Sequence, residues 1–148
     1  MERRFVLSET GILNQGGEPS GKAGISFANR QVEYMIHPDK RRVVVRFGKK
    51  LTAKDIEQYT KRLRNDPDFQ PEFSEIADIS EAEEIDLQAD DFLRLADEID
   101  PFSPDAKRAF VVQTSTQSHA ARMHKILRSN KNIEIFDSFY EAEEWVRL

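Results

Sequence analysis

The chain has no cysteine. That excludes disulfides, thiolate zinc sites, iron–sulfur clusters and thiol catalysis. Long apolar runs are also missing, and none approaches the roughly 18–20 residues that cross a bilayer as a helix. Met1-Glu2-Arg3-Arg4 is followed by only Phe5-Val6-Leu7, too short for the apolar core of a signal peptide. A soluble, cytoplasmic protein without a transmembrane segment is the expectation. Glycine is scarce beyond the start, since five of the six (Gly11, Gly16, Gly17, Gly21 and Gly24) fall in the first 27 residues.

What is present suits one compact unit. The 148 residues are 39% hydrophobic and 33% charged, and ten Phe, three Tyr and one Trp can seed a core. The net charge of −5 is unevenly spread. Residues 1–50 carry ten Lys/Arg against five Asp/Glu, and residues 51–108 carry seven against seventeen. An acidic middle argues against nucleic acid as a partner, because Lys and Arg contacts to phosphates dominate that affinity. The basic group Lys40, Arg41, Arg42, Arg46, Lys49 and Lys50 reads as a hairpin turn with a solvated strand face.

Residues 1–29 read as a flexible Gly-rich tail and residues 30–148 as the folded domain. In the tail, Gly16 to Lys22 matches the opening of a phosphate-binding loop, but Ala23 offers no hydroxyl for magnesium and no strand precedes it. From residue 30, Val32, Tyr34 and Ile36 alternate with polar positions. A Pro38-Asp39 turn then leads to Val43-Val44-Val45 and Phe47, which makes a hairpin. Thr52 and Asp55 form a capping box ahead of a helix through Leu63, ended by Asn65-Asp66-Pro67.

Phe73 to Ile79 reads as a strand, Ala89 to Ile99 as a helix, and Ala109 to Val112 as a strand covered on both faces. A helix capped from Thr114–Ser118 runs through Leu127, with Asn130 or Asn132 as its stop. Ile133–Phe136 is a strand, and Ser138 with Glu141 opens the last helix. The predicted fold class is α/β: a single mixed, mostly parallel sheet with an N-terminal β-hairpin and alternating helices, in the order β-β-α-β-α-β-α-β-α.

This order and several local patterns resemble the SpoIIAA-like branch of the STAS superfamily over residues 30–148. The patterns are Leu51 to Ile56, Ala77-Asp78-Ile79-Ser80, Asp100 to Pro104, Ala121-Arg122-Met123, and Ile135-Phe136-Asp137 with Glu141-Ala142 and Trp145. The resemblance implies a regulatory or protein-interaction domain without catalysis and without a cofactor. Anti-sigma-factor antagonists of that superfamily are switched at a serine within Asp-Ser-Ser-Gly. The corresponding place here, Asp86-Leu87-Gln88-Ala89, has neither hydroxyl nor glycine, so that phosphoswitch is not carried over. The branch is also likened to the CRAL-TRIO lipid-binding fold, which implies a lipid or small apolar ligand as the alternative.

Ligands of open α/β sheets collect beyond the carboxyl ends of the strands. The candidate ligand or phosphorylation residues at that edge are Asp78, Ser80, Thr114, Ser115, Thr116, Ser118 and His119. Their hydroxyls beside a helix start suit a small anion, while the plainer reading makes one of them the helix cap. A phosphorelay receiver lacks its acidic pair and its lysine. A serine hydrolase using Ser115 or Ser118 with His119 has no orienting acid. His119 and His124 lie five residues apart on one helix, about 140° around it, so they do not form an i,i+4 metal pair, and no metal is expected. The expected partners are a protein or a small anionic or lipid-like ligand, with a homodimer left open.

Overall fold

The computed structural model describes residues 3–8, 30–128 and 132–148. Its main sheet has six strands: β1 (Arg3–Ser8), β2 (Arg30–His37), β3 (Arg42–Phe47), β5 (Ser74–Asp78), β7 (Arg108–Val111) and β8 (Ile133–Phe136), neighbours in that order. β1, β2 and β3 are antiparallel, and every later pairing is parallel. Two short strands, β4 (Lys50–Thr52) and β6 (Glu84–Asp86), make a separate parallel pair. The helices are α1 (Ala53–Arg64), α2 (Ala89–Arg94, continued by a π turn over Leu95–Ile99), α3 (Ser115–Arg128) and α4 (Phe139–Arg147).

The mixed α/β architecture and the order from β2 onward are those read from the sequence, with two differences. Arg3–Ser8, read as part of a tail, pairs with β2 from Arg3 opposite Ile36 to Ser8 opposite Arg30. Three apolar residues in a row gave no alternation to mark it, and a strand at a sheet edge needs only one partner. The phosphate-loop-like segment and the rest of the tail lie outside the described residues, as does Asn130. β4 and β6 were also unread, because three residues are too few to show a period.

Alternation explains how the layers form. Val32, Tyr34, Ile36, Val43, Val45 and Phe47 point to one face and are buried there with Tyr59 and Leu63 of α1 and Ala121 of α3. On the other face Ile76, Ala109 and Val111 pack against Ala142 and Val146 of α4. Among the described residues, three helices therefore cover one side of the sheet and one covers the other.

The caps follow the sequence. Asp55 N–H donates to Thr52 Oγ1 at 3.2 Å, and Asp55 Oδ2 accepts from Thr52 N–H at 3.3 Å. Removing this reciprocal cap with Thr52→Ala lowers stability by about 1 kcal/mol, measurable as a shifted urea midpoint at unchanged slope. At α4, Ser138 Oγ accepts from Glu141 N–H at 3.2 Å.

Candidate functional site

At the carboxyl edge the structure places the expected residues as follows. Asp78 ends β5, and its Oδ1 accepts from Ser80 N–H at 2.9 Å and Ser80 Oγ–H at 2.6 Å. Its Oδ2 lies 3.5 Å from Arg46 Nε, because the β3–β5 register sets Arg46 beside Asp78. Thr114 Oγ1 accepts from Gln117 N–H at 3.2 Å and caps α3. Ser115, Thr116 and His119 are exposed, and Ser118 Oγ accepts from Arg122 at 3.4 Å. Ser80, Thr114 and Thr116 line one surface depression together with Lys49. His119 has no hydrogen bond to Ser115 or Ser118.

A residue without a predicted role organises this edge. Gln117 is 1% exposed. Its Oε1 accepts from the backbone N–H groups of Gln113 (2.6 Å) and Thr114 (3.2 Å). Its Nε2 donates to the carbonyls of Ser80 (3.2 Å) and Ala82 (2.8 Å). The Gln113 and Thr114 N–H groups ahead of α3 are thus occupied by the protein's own amide, which ties the loop after β5 to the loop after β7.

The opposite, amino-terminal ends of β5 and β7 hold a richer constellation. Glu75 and Arg108 are neighbours in the β5–β7 register. Glu75 follows Phe73 and precedes Ala77 with period two, so its carboxylate points to the helical layer instead of solvent. Arg108 Nε donates to Glu75 Oε1 at 3.0 Å, and its Nη1 donates to Asp100 Oδ2 at 2.7 Å. Tyr59 O–H donates to Glu75 Oε2 at 2.7 Å, and Phe102 N–H donates to Asp100 Oδ1 at 2.9 Å. His124 Nε2 and Arg128 Nε stand 3.3 and 3.2 Å from Asp100 Oδ2. The Arg108 guanidinium also sits over the Phe102 ring, 4.4 Å from its centre.

The side chains of Asp100, Glu75 and Arg108 are 1%, 4% and 5% exposed. Burial alone would raise the Asp100 pKa. The Arg108 charge, with hydrogen bonds from His124, Phe102 and Arg108, outweighs it and holds the carboxyl well below its ordinary range. Burial works against the Arg108 cation, yet Glu75 and Asp100 raise its pKa further. Burial, then the Glu75 charge and hydrogen bond, push the Tyr59 phenol well above its usual value. Glu75 and Asp100 thus face Arg108, with Arg128 and His124 also against Asp100, so the carboxylates of the cluster are paired within it.

This cluster forms one end of a cavity of about 80 Å³ between the helical layer and the sheet. The rest of the wall is apolar: Phe47, Ala77 and Phe110 from the sheet, Ile56 from α1, Phe92 and Leu95 from α2 and its π turn, and Ala120 and Ala121 from α3. His124 faces Asp100 here while His119 is exposed, as their angular separation on the helix requires. Among the described residues, no group of three His, Asp or Glu side chains is placed to hold a metal ion. No helix among them is long and apolar enough to cross a membrane.

No protein-family model matches the chain, and no curated protein matches it significantly. Among solved structures, the chain is similar to an uncharacterized protein of the DUF3478 family with a SpoIIAA-like fold from Shewanella loihica PV-4. The two are 24% identical, with a TM-score of 0.49, over 71% of this chain and 83% of that one. The mixed α/β assignment stands on this chain's own strand order and pairing.

Proposed function

We propose that the chain is a non-catalytic binding domain for a small, neutral, mostly apolar molecule held between the helical layer and the sheet. The observation that carries this is the cavity itself, apolar on its walls and polar at one end. A filled core would have served a purely structural domain better, since unfilled space forfeits packing. A neutral ligand is supported by the pairing of Glu75 and Asp100 with Arg108 at the polar end of the cavity, which commits these charges to one another.

Size narrows the ligand further. An apolar cavity of about 150 Å³ takes benzene, so at about 80 Å³ this one takes at most a single small ring, and only with some give of its walls. Pockets for larger ligands run to about 300–1,000 Å³, which places an acyl chain outside this reading. Phenol is a suitable probe. At about ten times its dissociation constant it adds about 1.4 kcal/mol, which raises the melting temperature by about 3–6 °C. Ala121→Leu fills the cavity and abolishes that shift. Equal shifts in wild type and variant would refute the proposal.

A second reading, a regulatory module that docks a basic protein surface, draws on the exposed carboxylates of Glu81, Glu83, Glu84, Asp86 and Asp90 around β6 and the start of α2. Its sign is opposite to that of nucleic acid as a partner. The two readings are compatible if ligand occupancy sets the position of α2, whose Phe92 lines the cavity.

A further inference from the structure

Among the described residues, the face of the sheet that carries α4 is only partly covered. α4 packs on β5, β7 and β8, and a groove of about 370 Å³ remains over β2 and β3. Arg42 lines it. The sequence places this residue in a solvated basic patch, yet its side chain is only 6% exposed. Among the described residues its ion pair is Nη1 to Glu143 Oε2 at 3.7 Å, against about 2.7–2.9 Å for a charge-assisted hydrogen bond. Its Nε is buried without a hydrogen-bond partner. A guanidinium presents five N–H donors in a planar fork, and burying it with so little pairing is costly.

The geometry points to a carboxylate-binding site in this groove, with the carboxylate seated on the Arg42 fork and a flat apolar body against Phe139 and Val44. Arg46 already stacks on the Phe139 ring, 5.5 Å from its centre, and lies 3.5 Å from Asp78, so it contributes a rim rather than a second anchor. Lys40 adds a positive charge at the groove. Glu143, whose side chain is 38% exposed, can turn into solvent when the ligand enters. A single guanidinium fork matches one carboxylate bidentately, which favours a singly charged carboxylate over a polyphosphate. The site is on the opposite face of the sheet from the cavity and does not depend on it.

The test is an amide-resolved NMR titration of the full chain with benzoate, alongside its neutral isostere benzamide and inorganic phosphate. Saturable shifts with benzoate at Arg42, Val44 and Phe139, and none with benzamide, are expected. Arg42→Lys keeps the charge but loses the fork, and weakens benzoate by about fivefold or more. Benzoate and benzamide acting alike, shifts confined to cavity residues, phosphate binding more tightly than benzoate, or an unaffected Arg42→Lys variant would each overturn the assignment. The comparison of benzoate with benzamide needs only the wild-type chain, so it decides even if the variant does not fold.

Discussion

Asp100→Asn lowers the unfolding free energy by about 3–5 kcal/mol, the range for removing one partner of a buried ion pair. The side-chain volume is nearly unchanged, so the loss is electrostatic. Asp100 is the acceptor on which Arg108, His124 and Arg128 converge, and without its charge Arg108 keeps only Glu75. The pH dependence has a definite sign. Because the folded-state pKa of Asp100 is depressed, its contribution is fully present above the unfolded value of about 3.9 and is lost as pH falls toward the folded one. Urea unfolding of both proteins at neutral pH and below about pH 4 therefore shows a gap that narrows in acid. A constant gap would mean that Asp100 acts through shape alone.

Gln117→Ala is the second large effect, at about 2–3 kcal/mol. It strips acceptors from the Gln113 and Thr114 amides and a donor from the Ser80 and Ala82 carbonyls, in a position 1% exposed. Gln117→Glu separates the two halves of this bridge. A carboxylate still accepts from the amides but repels the carbonyls, so it costs at least as much as alanine despite its similar shape. Urea midpoints of the two variants decide the matter, and a neutral Gln117→Glu would show that the contacts to Ser80 and Ala82 carry little.

The main-sheet strands from β2 onward and the helices were legible because their signals are local. Alternation at Val32, Tyr34 and Ile36, the box at Thr52 and Asp55, and the cap at Ser138 each lie within a few residues. The helical stripe of α4, with Ala142 and Val146 buried and Trp145 partly so, was equally clear. The site was less legible because it is made by register. Glu75 and Arg108 stand 33 positions apart and meet only when β5 and β7 pair. One local hint existed: Glu75 shares its face with Phe73, Ala77 and Ile79, an odd position for a carboxylate unless it has a buried partner. Asp100 stood out only as the start of the Asp100–Pro104 pattern, and His124 as a histidine without a role. Arg42 misled for the opposite reason, since a basic run gives no sign of which member the sheet will cover.

The most direct test of the cavity's role is an amide-resolved NMR titration of the full chain with phenol. Saturable shifts at Ala77, Phe110, Ala120 and Ala121, lost in Ala121→Leu, are the predicted result. Absence of saturation at those residues, or shifts confined to the groove around Arg42, would contradict a ligand-binding cavity between helices and sheet.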